Sequence, residues 1–367
     1  MSEDQSIDVL IPVHNAADTL SEALRSIQDQ SIDSFRIVIV DDGSTDTTPE
    51  ILEHAARKDG RIEIHRIKNG GVAAALNHGL AFCTARFIAR FDADDISYPD
   101  RLKIQRNYLL EHSDCVAVGC DVDHIDQFGG SIIGMPQPGD PNACDPDWVP
   151  AIEPYIVHPF LFAHRSAIMD VGGYRSLRTS QDTDLYWRLG SHGRLHNLKE
   201  RLGMYRIHAK SVSGARISSG RVMAVCSQLA ALSASRNRAS LPDLNFPITT
   251  PLFDAIDTPL TEMVAAFDSA LSARERHHIR LSVGAKLMEL SGYRDYELAL
   301  SDCRFIAALD PTGLRLENIR EFRWYRTMTA SRLLDRGDFR AAFTLAGPQG
   351  FLVALARSMA RLVGLKR

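Results

Sequence analysis

Four strand-like runs, the first three rich in β-branched residues, at 7–13, 35–40, 62–67 and 87–91, alternate with stretches of helical periodicity at 19–30, 48–58 and 72–83. This alternation leaves few options. Parallel strands can be joined only by a crossover, and the crossover helices then cover both faces of the sheet. The pattern predicts a doubly wound α/β sheet. Ligands of such sheets bind beyond the C-terminal strand ends. Two acidic clusters fall there: Asp41-Asp42-Gly43-Ser44-Thr45-Asp46 after the second run and Asp92-Ala93-Asp94-Asp95 after the fourth.

Carboxylates this close repel one another. A divalent cation bridging to phosphate oxygens removes that cost, and hard oxygen ligands suit Mg²⁺ or Mn²⁺. A solvated acidic loop is the plain alternative for Asp-x-Asp alone. Two clusters converging on one crevice weigh against it.

Further along, helices are expected over 101–111, 166–171 and 180–191, and strands over 115–119, 160–164 and within 195–206. A hairpin is expected around 126–130, followed by a long loop to 154 of the kind that often contacts substrate. Beyond 214 the character changes. The expected division is a sheet domain at 1–214, a helical and Pro-rich linker at 215–260 and an all-helical C-terminal region at 261–367. Gly292 and Gly337 each look like the opening of a helix. Residues 350–367 are apolar and basic without an acid, which suits a terminal helix packed on its own domain or one lying on an anionic membrane.

The formal net charge of −4 carries no basic excess, so nucleic-acid binding is not expected. Six scattered cysteines without a Cys-x-x-Cys pair read as reduced core residues. With no signal-like N-terminus and no apolar run of spanning length, the expected location is cytoplasmic, with peripheral contact at the inner face of the cell membrane through the basic C-terminus.

Six segments then occur in a familiar order: Val9-Leu10-Ile11-Pro12-Val13-His14-Asn15; Val40-Asp41-Asp42-Gly43-Ser44-Thr45-Asp46; Asn69-Gly70-Gly71 through Gly79; Asp92-Ala93-Asp94-Asp95; Gly172-Gly173-Tyr174 with Gln181-Asp182-Thr183-Asp184-Leu185; and Tyr205-Arg206-Ile207-His208 with Ser211. Residues 7–213 thereby resemble the family 2 glycosyltransferases, whose fold is GT-A, a mixed doubly wound sheet. The resemblance does not reach the last 150 or so residues.

The resemblance implies an inverting, non-processive transfer of one sugar from a nucleotide-diphospho-sugar, UDP-linked by expectation, to a hydroxyl of a glycan or lipid-linked glycan. It implies that Asp42 accepts a hydrogen bond from the base, with Pro12, Val13 and Asn15 lining the same pocket. Asp41 or Asp46 would serve the turn. Gly71 and Asn77 belong to the donor-binding set. Asp92 would lie near ribose or sugar, Asp94 would ligate Mn²⁺ or Mg²⁺, and His208 would complete the metal shell. Asp95 would cap the following segment. Asp182 would be the catalytic base, a helix N-cap being its plain reading. Asp184 would be a structural partner of Arg178 or Arg188, and His158 would line the acceptor site. The family's Glu-Asp pair is Gln181-Asp182 here, which keeps the base and removes its charged neighbour. Two other readings are a nucleotidyltransferase, disfavoured by His14-Asn15-Ala16-Ala17 where a basic Gly-rich loop is needed, and an inactive scaffold presenting the helices.

Overall fold

The computed structural model describes residues 6–207, 217–244, 258–294 and 296–362. The chain forms two units. One comprises Met1–Cys144, Glu153–Leu177 and Gln181–His208; the other comprises Asp145–Ile152, Arg178–Ser180 and Ala209–Arg367.

The first unit is built on a mixed sheet. Its strands are β1 (Ile7–Val13), β2 (Phe35–Asp41), β3 (Ile62–Arg66), β4 (Phe87–Arg90), β5 (Ile96–Ser97), β6 (Cys115–Ile125), β7 (Ser131–Ile132), β8 (Phe162–His164) and β9 (Arg194–Arg206). The order is β3-β2-β1-β4-β8-β6-β9-β5, with β7 hydrogen-bonded to β6. Strands β3, β2, β1 and β4 run parallel, β8 runs antiparallel to β4 and β6, and β9 is parallel to β6. The winding reverses at β1, so a crevice opens where β1 and β4 part. Their pairing ends at Leu10–Arg90, and Pro12 lies past it, where no β4 partner needs its missing N–H.

Period-two alternation divides the core between the sheet's faces. Val9, Ile11, Ile37 and Ile39 pack with Leu20, Leu24 and Ile27 of α1 (Leu20–Gln28) and with Leu102 and Leu109 of α4 (Arg101–Glu111). Leu10, Val38 and Val40 pack with Leu76 and Leu80 of α3 (Val72–Phe82) and with Leu185 and Leu189 of α6 (Gln181–Leu189). Each such side chain contributes about 1.5–3 kcal/mol of burial. Helices α2 (Thr48–Lys58) and α5 (Arg165–Asp170) complete the unit.

Several expectations change. Strand β6 runs to Ile125 rather than 119, because Asp121–Ile125 pairs with Arg201–Arg206 of β9. The strand expected from 160 starts at Phe162, after a 3₁₀ turn at His158–Phe160 that contains Pro159. Strand β5 has two residues, too few to leave a periodic signal. The 126–130 hairpin forms, with Ile125 opposite Ser131.

The second unit contains α7 (Ile217–Arg238), α8 (Leu260–Ala265), α9 (Ala273–Leu290), α10 (Leu300–Ala307), α11 (Leu316–Asp335) and α12 (Phe339–Leu362). A capping box of Ser272 and Glu275 starts α9, and Arg236 of α7 pairs with Glu275 at 2.6 Å. A buried Arg221–Asp302 pair at 2.9 Å joins α7 to α10. Part of the long loop belongs here: Ala151 N donates to Gln228 Oε1 at 3.0 Å. Gly292 closes α9 instead of opening a helix, its N–H donating to Glu289 O at 2.8 Å. Gly337, at φ +81°, does precede α12, and Asp338 accepts from Ala341 N at 2.9 Å.

Contrary to expectation, Phe339–Arg361 is long and apolar enough to cross a bilayer. The chain breaks inside it at Gly347 (φ 69°, ψ 176°). The arms at 339–346 and 348–362 are each shorter than the ~20 residues a straight span needs.

Candidate active site

The turns after β1 and β2 are stitched together by short side chains. Asp41 Oδ1 accepts from Ser44 N at 2.9 Å, and its Oδ2 pairs with Arg66 Nε at 2.9 Å. Asp42 Oδ1 and Oδ2 accept from Gly70 N at 2.7 Å and Gly71 N at 2.8 Å. Asp46 accepts from Thr48 N and Ala17 N. Asn15, at φ +50°, donates its N–H to Ser44 Oγ at 2.9 Å and accepts from Thr45 N at 2.8 Å. His14 Nδ1 donates to Asp42 O at 2.9 Å.

Asp41 and Asp46 thus hold the turn. Asp42 joins it to the loop before α3 and keeps a second lone pair on each oxygen for a donor from outside. Gly43, at φ +71°, leaves no room for a side chain, since a Cβ would stand 2.9 Å from Asn69 N. Gly71, at φ +86°, is needed for its backbone conformation and borders open space.

Asn77, expected in the donor-binding set, has structural contacts. Its Nδ2 donates to Tyr174 O at 2.6 Å and its Oδ1 accepts from Tyr174 N at 2.8 Å. The side-chain amide clamps α3 against the Gly172-Gly173-Tyr174 turn. Arg188 holds the same turn from the other side, donating to Val171 O and Gly173 O at 2.7 Å each. Asp184 pairs with Arg188 at 2.6 Å and with Arg175 at 3.1 Å, so it is structural; its second partner is Arg175 rather than Arg178.

Strand β4 ends in a buried cation followed by the acids. Arg90 Nη2 pairs with Asp92 Oδ1 at 2.6 Å. Arg101, also buried, donates to Arg90 O at 2.6 Å and Pro159 O at 3.0 Å, which fixes the strand tip. One ligand atom from each of Asp92, Asp94 and Asp95 lies within 4.8 Å of the others. Asp95 does not cap the next segment. It reaches β9, where Arg206 N donates to its Oδ1 at 2.8 Å. Its Oδ2 is buried without a hydrogen-bond partner among the described residues. Burial, then the charges of Asp92 and Asp94, push the Asp95 carboxyl well above the ordinary carboxylate value. Three hard oxygen donors close together, with one orphaned oxygen on Asp95, fit a divalent cation. His208, expected as a further ligand, lies outside the described residues.

Asp182 sits in the first turn of α6. Burial raises its carboxyl above the ordinary value; the N–H groups of Thr183 and of Asp182 itself, and the charge of Arg90, act against that rise. Tyr174 Oη and His158 Nε2 are hydrogen-bonded at 2.9 Å. Burial, then the charge of Arg90, hold the His158 imidazole well below its usual range, so it is neutral near pH 7. The field of Arg90 therefore reaches Asp92, Asp95, His158 and Asp182. Sequence reasoning passed over Arg90, although an arginine inside the apolar run Phe87-Ile88-Ala89-Arg90-Phe91 is itself a signal.

Residues 8–172 match the family model described as glycosyl transferase family 2. The chain is 34% identical over 221 residues to a putative glycosyltransferase, EpsE, of Bacillus subtilis (strain 168), covering 58% of this chain and 76% of that one. It is 30% identical over 209 residues to the O-antigen biosynthesis glycosyltransferase WbnJ of Escherichia coli, covering 56% and 81%. Among solved structures, the mannosyltransferase PcManGT from Pyrobaculum calidifontis, in complex with GDP-Man and Mn²⁺, aligns with a TM-score of 0.51 at 16% identity over 96% of this chain and 86% of that one. That likeness concerns the fold, GT-A.

Proposed function

We propose the following reaction for this chain, which belongs to glycosyl transferase family 2 and is a glycosyltransferase: an inverting, metal-assisted transfer of a single sugar from a nucleotide-diphospho-sugar to an acceptor hydroxyl. One observation carries the reading. Buried Arg90, ion-paired to Asp92 at 2.6 Å, also opposes the burial-driven rise of the Asp182 carboxyl, which supports reading a donor-side acid and a candidate base on either side of one cation.

The base of the nucleotide docks against Pro12, Val13, Asn15 and Asp42, with UDP the favoured nucleotide. Gly71 leaves the backbone open to the donor, and Asp92 faces ribose or sugar. Asp94, with Asp92, Asp95 and His208, would hold Mn²⁺ or Mg²⁺; the Mn²⁺ of the PcManGT complex supports a divalent ion without choosing between the two. When bound, such an ion neutralises charge on the departing diphosphate. Asp182 takes the proton of the acceptor hydroxyl as that oxygen bonds to the anomeric carbon and the bond from that carbon to the diphosphate oxygen breaks. Attack opposite the leaving group inverts the centre, so one base suffices. A carboxyl raised by burial is the stronger base for this.

The acceptor is a cell-surface glycan or lipid-linked glycan, a reading that the O-antigen role named for WbnJ supports. Helix α12 would bring the enzyme to such an acceptor at the inner face of the cell membrane. It exposes Phe339, Phe343, Leu352, Val353 and Met359, each by half or more, and carries Arg340, Arg357 and Arg361 without an acid. Co-sedimentation with anionic but not neutral vesicles tests this. The reaction itself is tested by Asp182→Asn, which should abolish transfer and leave donor binding intact; normal turnover in this variant would refute the assignment. Family membership sets aside the nucleotidyltransferase and scaffold readings.

A further inference from the structure

The neighbourhood of Asp182 holds polar atoms that the fold does not use. Tyr186, one turn along α6, is fully buried, and its Oη has no hydrogen-bond partner among the described residues. Arg90 is 4% exposed, and its Nε and Nη1 likewise lack one, with only Nη2 taken by Asp92. After burial, the strongest influences on the Tyr186 phenol are the charges of Asp182, Tyr174 and Arg90. The His158 ring meets Tyr186 edge-on with centroids 6.3 Å apart, while its Nε2 is occupied by Tyr174. Arg90 N donates to Leu161 O at 2.8 Å beside the 3₁₀ turn, whose His158 ring meets Tyr186, so β4, the turn and α6 bring two unused guanidinium nitrogens and one unused hydroxyl into one neighbourhood. Buried donors left unused are costly, and a fold keeps them where a ligand supplies the partners.

Resting on the reaction proposed above, the identity of that ligand follows from position. The transferred sugar is the part of the reactants that must lie between the diphosphate-handling acids and the base. Its hydroxyls match separate N–H and O–H groups better than an anion would. The local charge points the same way: the Arg90 guanidinium is already ion-paired to Asp92 at 2.6 Å, so little of its charge is left for a carboxylate on the sugar. We infer that Arg90 and Tyr186 bind the hydroxyls of the transferred sugar, and that this sugar is uncharged.

The test is Tyr186→Phe in the full chain, which removes one oxygen that no described group of the protein uses. Calorimetry with Mn²⁺ present would compare UDP, UDP-glucose, UDP-N-acetylglucosamine and UDP-glucuronic acid, with GDP and GDP-mannose as a second nucleotide series. The wild type should prefer a neutral-sugar donor over the uronic-acid donor by at least about tenfold. The variant should melt as the wild type does, bind the nucleoside diphosphate unchanged, and bind the preferred sugar nucleotide about tenfold more weakly. Equal binding of that donor by both proteins, or a preference for the uronic acid, overturns the inference while leaving the reaction class standing. Failure of the wild type to bind any of these compounds overturns the reaction class as well.

Discussion

The turn after β2 and the tip of β4 are both acidic, and they treat their carboxylates in opposite ways. In the turn, each oxygen of Asp41, Asp42 and Asp46 has a donor, mostly a backbone N–H. At the β4 tip, buried Asp95 stands beside the partly exposed Asp92 and Asp94 and keeps one oxygen without a partner among the described residues. The same side chain stabilises where backbone dipoles surround it and destabilises where other carboxylates do. The turn is a finished surface that can receive a ligand without rearranging. The tip is an unfinished one whose stability depends on what arrives.

Replacing Asp by Asn gives the sharpest contrast between the turn, at Asp42, and the carboxyls raised by burial, at Asp95 of the β4 tip and at Asp182 of α6. Asp182→Asn is expected to lower turnover by about 10²–10⁴-fold, the usual scale for losing a general base. It should not lower the melting temperature. A carboxyl whose folded value is raised binds its proton more tightly in the folded state, so stability falls as pH rises from the unfolded value through the folded one; at neutral pH the ionised form is a cost, and Asn removes it. The acid limb of the wild-type rate profile should accordingly lie above the ordinary carboxylate value. A thermal melt showing clear destabilisation of Asp182→Asn would erase the contrast.

Mn²⁺ or Mg²⁺ comes next in size. A hundredfold excess over its dissociation constant should stabilise the protein by about 2.7 kcal/mol. Asp95→Asn should raise the melting temperature of the metal-free protein and shrink the shift on adding metal. A metal-free melt no higher than wild type would mean that the tip is not under electrostatic strain. Asp42→Asn should do the reverse of Asp182→Asn: an amide NH₂ would face one of the glycine N–H groups, costing about 1.5–3 kcal/mol in chemical denaturation. The smallest effect is expected at Arg66→Ala. That ion pair to Asp41 is half exposed on the arginine side, and its loss should cost less than about 1 kcal/mol.

What could be read in advance follows the range of the forces involved. Helices α2 and α4 have the predicted bounds because their apolar periodicity and flanking residues are local. The parallel half of the sheet was legible for the same reason, as were the turn roles of Asp41 and Asp46. Pairings made across the sheet were not. Nothing in Ile96-Ser97 announces a strand until β9 lies beside it, and nothing in Asn77 announces that its amide will meet Tyr174. Arg90 was hidden by its surroundings, since an apolar run draws attention to the run. Asp182 was singled out through family resemblance, and the rise of its carboxyl comes chiefly from burial, which the sequence does not display.

The Asn77–Tyr174 clamp joins positions 97 residues apart, and β4 to β8 all lie between them. Bringing such distant points together costs chain entropy that only the intervening strand pairings offset. The turn leading to Asp182 therefore locks after most of the sheet exists. In refolding, helical signal should return first and catalytic competence last, with activity serving as a clock for the final docking step. Asn77→Ala should lengthen that lag more than it alters the early signal.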